Sequence, residues 1–165
     1  SSDKACQPLN AYGASKLMME KLVLGANNAR GKHGPTFAVT RYGNVAGSTG
    51  SVIPIWREAY RTGQTIKMTD PDATRFWMTL QEAIDLVLTT IDGMRGGELV
   101  IPTLPAYRLG DLFKAFPEIP GQPKLKITGL GRGEKLHERL TETGPDSSRV
   151  TRMPVDELRE ELKSV

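Results

Sequence analysis

The sequence predicts an α/β fold built on a parallel sheet, and two observations carry that expectation. Residues 9–29 keep a helical apolar period that ends at Gly31 and Gly34, and residues 35–41 then form a short, β-branched run fenced by turn residues. A helix feeding a strand through a short glycine-containing loop is half of a βαβ unit, and such units build parallel sheets. Further short apolar runs alternate with helical patterns down the rest of the chain, which reads as a small mixed α/β lobe.

Taken in order, Pro8 and Asn10 mark the start of the first helix, and Leu17, Met18, Leu22, Val23 and Leu24 hold its spacing. After the strand, Gly43, Gly47 and Gly50 crowd around Asn44, a composition that suits a backbone approaching a ligand closely. Ligands of open α/β sheets sit at the carboxyl ends of strands, where this loop falls. From composition alone, a plain surface connection explains it equally well. A helix follows over residues 53–61, with Pro54 tolerated in its first turn. Residues 65–68 and 74–78 read as strands on either side of an Asp70-Pro71-Asp72 turn. Thr79 and Glu82 form a capping-box pattern, and Ala83, Leu86, Val87 and Ile91 carry that helix to Gly93. Strands are expected over residues 98–101 and 124–128, a short helix over 109–116, and a last helix over 154–163 with Val155, Leu158 and Leu162 on one side.

At 165 residues the chain is one domain by length. Its 22 basic and 19 acidic residues are interspersed, so the net charge of +3 gives no basic stripe for nucleic acid and leaves an anionic small molecule open. The single Cys6 excludes an internal disulfide and fits a reducing compartment. No signal peptide, transmembrane run or repeat is visible, and the reading is a cytoplasmic chain without a membrane partner. The chain opens at Ser1, without Met, and its candidate chemistry begins at once. Termini fray unless tied down, so the expectation is the C-terminal part of a longer chain.

That chemistry lies in two pairs. Asp3 and Lys4 set an acid beside a base, and Tyr12 and Lys16 stand four residues apart on one helical face. A cation near a phenol favours the phenolate, which suits proton exchange with an alcohol. By itself Tyr-x-x-x-Lys is a weak signal, because helices are full of such pairs. Arg75 suits a diphosphate, since a guanidinium pairs two oxygens at once. Phe76 and Trp77 are expected in the core. Glu134, His137 and Glu138 lack His-Glu-x-x-His spacing, so no metal is expected and a structural or substrate-side role is.

Ser2-Asp-Lys-Ala with Tyr12-x-x-x-Lys16 resembles the catalytic stretch of the extended short-chain dehydrogenase/reductases, and more narrowly of the C5-inverting UDP-N-acetylglucosamine 4,6-dehydratases among the polysaccharide biosynthesis proteins. Arg41-Tyr-Gly-Asn-Val45, Gly50-Ser-Val-Ile-Pro54, Thr74-Arg-Phe-Trp77, Gly96-Gly-Glu98 and Gly133-Glu-Lys-Leu-His-Glu138 match that family in the same order, over about residues 1–140. The resemblance implies the C-terminal portion of an NAD(P)-binding Rossmann-type fold over residues 1–50, followed by a sugar-nucleotide lobe over residues 51–165. It implies NADP as cofactor, a UDP-sugar as substrate, a role in nucleotide-sugar supply for surface glycans or flagellin glycosylation, and a homo-oligomer. The related membrane-bound, C5-retaining dehydratases typically have Met at the position of Tyr12, so the soluble inverting branch matches better.

By the same resemblance, Tyr12 takes the proton of the sugar 4-hydroxyl, Lys16 holds the nicotinamide ribose, Lys4 is the base at C5 and Asp3 the acid at the departing 6-hydroxyl. Ser1, Ser2, Tyr12, Lys16 and Val45 fall at cofactor positions; Ser2 replaces the usual Thr and keeps a hydroxyl. Asn44, Thr49, Gly50, Ser51, Val52, Arg75, Arg132 and Glu134 fall at substrate positions. Two places depart from the pattern. The family usually reads Arg-Pro-Gly-Glu-Lys where this chain has Gly131-Arg132-Gly-Glu-Lys135, and it often has Arg at Thr49. No Gly-x-x-Gly-x-x-Gly loop opens a strand–helix unit here, so this chain alone is expected to bind NADP poorly and to show no turnover. Another sugar-nucleotide enzyme of the superfamily, such as an epimerase or reductase, and a remnant without cofactor binding are the alternatives.

Overall fold

The computed structural model describes residues 1–117 and 123–165. Ser1 and Ser2 run beside the chain at residues 40–42. The Ser1 amino group donates to the Thr40 carbonyl at 2.7 Å, and Ser2 bridges Tyr42 in parallel. A single 3₁₀ turn, Asp3–Ala5, leads to helix α1, Ala11–Ala29. Asn10 caps α1 by accepting from the Gly13 N–H at 2.9 Å, which satisfies one of the helix's open donors. Strand β1, Val39–Thr40, pairs in parallel with β5, Leu99–Val100. The Ser1–Ser2 segment therefore extends this parallel layer on its other side, and Asp3 and Lys4 stand at its carboxyl end.

The second layer is mixed. β2, Asn44–Val45, pairs in parallel with β4, Thr74–Met78, which pairs antiparallel with β6, Ala106–Arg108. β3, Ile66–Met68, pairs in parallel with β7, Leu125–Ile127. The helices α2, Val52–Thr62, α3, Leu80–Gly93, α4, Leu109–Ala115, and α5, Val155–Ser164, complete the chain. The capping box of Thr79 and Glu82 is formed in full. Among the described residues no helix is long and apolar enough to cross a membrane.

Three differences from the sequence expectation matter. β3 and β4 do not pair with each other; the chain turns at Asp70, whose Oδ1 accepts from the Asp72 N–H at 2.8 Å, and each strand joins a different sheet. β6 was not expected at all, because three residues carry no readable alternation. The loop over residues 42–51 also contains β2, and Gly43 explains how: a Cβ there would lie 2.5 Å from the Phe76 Cβ, so only glycine lets β2 come this close to β4.

The core has two centres. Trp56 is buried among Ile53, Ile66, Leu112 and Leu158, with Phe113 and Phe116 meeting its ring edge-on at 5.8 and 5.7 Å. Phe76 and Met78 of β4 pack with Ala83, Leu104 and Leu140. Each fully buried side chain of this kind contributes about 1.5–3 kcal/mol. β4 thus sends successive residues, Trp77 into the first centre and Phe76 and Met78 into the second, and Arg75 directly precedes these anchored residues. On the inner side of α1, Glu20 and Arg41 form a buried two-pronged ion pair at 2.8 and 2.5 Å, and Arg41 also donates to the Leu140 carbonyl at 2.8 Å. This pair locks α1 to β1 and to the loop after residue 139.

Candidate functional site

Lys4, Asn10, Tyr12, Asn44, Arg75 and Glu138, with the turn over residues 133–135, surround a cleft of about 400 Å³. It opens where the carboxyl end of the Ser1–Ser2 segment meets the start of α1 and the first residues of β2 and β4. A second cleft of about 290 Å³ shares Asn44, Arg75 and Glu134 and continues past Val52, Lys67 and Tyr107.

The floor is built by the 3₁₀ turn. Asp3 is fully buried, and its Oδ1 accepts from Ser2 Oγ at 2.8 Å and from Lys4 Nζ at 2.9 Å. Its Oδ2 is buried with no hydrogen-bond partner. Ser2 Oγ in turn caps the turn through the Lys4 N–H at 3.3 Å. Lys4 therefore reaches into the cleft while its ammonium rests on a carboxylate shielded from water. Helix α1 brings the second pair to the same place. Gly13 makes this possible: a Cβ would lie 2.4 Å from the Lys4 carbonyl oxygen, so a larger residue would push α1 off the turn. Asn10 fixes the opposite wall by donating to the Gly133 carbonyl at 3.0 Å, and Glu134 closes that turn on the Gly131 N–H at 2.8 Å.

Tyr12 is 56% exposed, on the first turn of α1. Lys16 Nζ lies 5.3 Å from the centre of its ring, over the aromatic face, so the pair meets as a cation on a π-system. Arg75 is half-buried; its Nη1 donates to the Thr74 carbonyl at 2.8 Å and the Leu136 carbonyl at 3.2 Å, and its Nε lies 3.9 Å from Glu138. Tyr107, at the back of the second cleft, is a different phenol: burial pushes its pKa up to about 12, so it stays neutral. Beneath the floor, burial and the neighbouring Glu142 carboxylate push the Cys6 thiol up to about 11.

Of the residues singled out by sequence, Lys4, Tyr12, Asn44, Arg75 and Glu134 line the first cleft, with Asp3 directly behind Lys4. Val52 lines the second cleft. Ser51 begins α2, and its hydroxyl is buried without a partner. Ser1 and Ser2 hold the parallel edge beside residues 40–42, and Val45 packs against the Phe76 centre. Thr49, Gly50 and Arg132 are exposed and line neither cleft. His137 bonds Thr74 Oγ1 through Nδ1 at 2.8 Å. Sequence reasoning missed Asn10 as a wall of the cleft and gave Glu138 no definite place. The signal for Asn10 was its position as helix cap, which faces whatever the helix start faces; Glu138 had none beyond its motif.

A profile of the family described as polysaccharide biosynthesis protein matches residues 1–155. The UDP-N-acetylglucosamine 4,6-dehydratase (inverting) of Campylobacter jejuni is 43% identical over 154 residues, covering 92% of this chain and 44% of that protein. A UDP-glucose 4-epimerase of Rickettsia typhi is 37% identical over 162 residues, covering 94% of this chain and 48% of that protein. The X-ray structure of Pen from Bacillus thuringiensis superposes with a TM-score of 0.89 at 32% identity, over 99% of this chain and 60% of that one. The chain thus spans less than half the length of these two curated relatives.

Proposed function

The chain belongs to the polysaccharide biosynthesis protein family, and from that premise we propose that it carries the proton-transfer and sugar-nucleotide-binding part of a UDP-N-acetylglucosamine 4,6-dehydratase that inverts C5. One observation carries the reading: Lys4, ion-paired to the buried Asp3, faces the same cleft as Tyr12. Elimination of water across C5 and C6 of a 4-ketosugar needs a base at C5 and an acid at the 6-hydroxyl. Passing the proton they share from the Lys4 ammonium to the Asp3 carboxylate makes that base and that acid, 2.9 Å apart and suited to act on adjacent carbons.

A nicotinamide dinucleotide fits the donor set at this edge. The exposed Tyr12 phenol and the Lys16 ammonium stand on one face of α1, and the buried Ser1 hydroxyl has no partner of its own. Ser1, Ser2, Tyr12, Lys16 and Val45 would hold it. NADP, when bound, supplies the redox chemistry, accepting hydride from C4 and returning it to C6. Tyr12 receives the proton of the 4-hydroxyl, and Lys16 keeps positive charge against its ring. The resulting ketone acidifies the C5 hydrogen, and the Lys4 amine takes that proton. Asp3 in its acid form protonates the 6-hydroxyl, which leaves as water, and a proton added to the other face of C5 inverts the centre. Arg75, at the junction of the two clefts, takes the diphosphate, with Asn44, Val52 and Glu134 along the nucleotide path and Ser51 next to Val52 at the head of α2. Thr49, Gly50 and Arg132 reach the substrate only if their loops close on it.

The epimerase-named relative makes a 4-epimerase the second reading. A 4-epimerase needs no base at C5, and the Asp3–Lys4 pair favours the dehydratase. The complete protein, incubated with UDP-N-acetylglucosamine and NADP, is expected to form a 4-keto-6-deoxy sugar nucleotide. Formation of the 4-epimer without ketone would support the second reading instead.

A further inference from the structure

We propose that Glu138 is the residue that positions Lys4 in the reacting state, an inference that rests on the dehydratase reading for the roles of Asp3 and Lys4. Three cations from three segments converge on its carboxylate: Lys4 Nζ at 3.8 Å, Arg75 Nε at 3.9 Å and Lys135 Nζ at 3.7 Å. Glu138 is 4% exposed, and its Oε2 is buried without a hydrogen-bond partner. At these separations the carboxylate acts on its neighbours by charge, across a gap that water screens poorly.

Its own place is fixed from behind. The Glu138 N–H donates to Ser147 Oγ at 2.9 Å, and the Ser147 N–H donates to the Glu138 carbonyl at 2.8 Å. Ser147 Oγ is bonded in turn to Thr74 Oγ1 at 2.6 Å. The carboxylate is therefore mounted on the strand that carries Arg75.

The three cations do not depend on it equally. Arg75 has two backbone carbonyls, and Lys135 has the Cys6 carbonyl at 2.5 Å. The other anchor of Lys4 is Asp3. That anchor is conditional, because an acid about to protonate a leaving hydroxyl is neutral and no longer attracts an ammonium. Among the described residues Glu138 is then the remaining carboxylate within 4 Å of Lys4. Tyr12 and Glu134 border the same cleft without an ion pair to Lys4. Glu138 thus holds the Lys4 ammonium that forms once the C5 proton has been taken, during the step in which Asp3, still the neutral acid, cannot.

The test is a double-mutant cycle read on Lys4 itself. Acetic anhydride labels the lysines of this chain at one fixed pH, and peptide mass spectrometry gives the rate at Lys4 in the wild type, Asp3→Asn, Glu138→Gln and the double variant. Asp3→Asn stands in for the neutral acid. Glu138→Gln is expected to speed Lys4 labelling by about tenfold in the Asp3→Asn background and by about threefold with Asp3 present. The same factor in both backgrounds, or none, overturns the proposal. Glu138→Asp keeps the charge and is expected to label within about twofold of wild type, also where Glu138→Gln fails to fold; fast labelling in that variant overturns the proposal too. In turnover, Glu138→Gln is expected to lower kcat for C5 exchange by at least about tenfold with KM changed less than about threefold, and Glu138→Asp to recover it; a KM effect alone contradicts the role. A wild type that forms no 4-keto product sinks the dehydratase reading, while the labelling cycle still decides on Glu138.

Discussion

The two halves of the cleft are made differently. Its floor, Asp3, Lys4 and Glu138, is buried or half-buried and cross-bonded to β4 through Ser147 and Thr74. Its rim, Tyr12 and Lys16, lies on the first two turns of α1, with Lys16 half-buried and the phenol more than half exposed. The floor is therefore set by the fold of this chain, with its charges paired to one another. The rim has its direction set by the helix but little around it. On the proposed reading, the groups that would handle protons next to carbon are the ones held rigidly, and those that would meet both cofactor and sugar are left accessible.

Helix α1 joins the halves, and the largest effect is expected where it is bolted down. Glu20→Ala leaves Arg41 as a buried charge without its partner, which costs about 3–5 kcal/mol; thermal or urea unfolding measures it. Burial alone pushes the Glu20 carboxyl up, but the hydrogen bonds from Arg41 outweigh that and hold it below its usual value of 4.5. A carboxyl lowered in the folded state stabilises above its unfolded pKa, and that contribution fades as pH falls through the folded one. Wild type and Glu20→Gln should accordingly differ at pH 7 and converge well below pH 4.5.

The underside of the floor should be chemically silent. With the thiol pushed up to about 11 from 9.0, Cys6 should react with iodoacetamide at pH 8 roughly a hundredfold more slowly than in urea-unfolded chain. A rate near that of the unfolded chain would mean the floor opens readily. Gly13→Ala sharpens the contrast from the other side. Its methyl meets the Lys4 backbone, not a flexible side-chain tip, so a loss of about 1–3 kcal/mol is expected, and activity should fall even in molecules that stay folded. The smallest stability effect belongs to the rim. Tyr12→Phe should stay within about 0.5 kcal/mol of wild type, while turnover drops by about 10²–10⁴-fold. A large loss of stability in that variant would erase the distinction between rim and floor.

Much of this was legible in the residues. Helices α1, α2, α3 and α5 announce themselves by apolar period and by caps, because both are local. The short strands were partly visible: β1 and β5 sit inside longer β-branched runs, whereas β6 and β2, with three and two residues, owe their pairing to partners distant in sequence. The pairing of β3 with β7 likewise bridges residues about sixty apart, which no local pattern around Asp70 reports. In the candidate site, the Tyr12–Lys16 spacing follows from helical geometry, and Asp3 and Lys4 are neighbours in the chain. What sequence order hides is convergence: Arg75 and Glu138 reach Lys4 only because β4 and the segment at residue 137 bridge in parallel. Glu138 looked like one charge in a polar run, and only the fold shows three cations around it.

The central claim is that the floor of this cleft handles the proton at C5. It is tested most directly by running the reaction of the complete protein on UDP-N-acetylglucosamine in D2O and locating deuterium in the product. Wild type should carry solvent deuterium at C5, and Lys4→Ala should form no such product. Product formation by Lys4→Ala at the wild-type rate, with deuterium at C5 as before, would remove Lys4 from the chemistry and contradict the account.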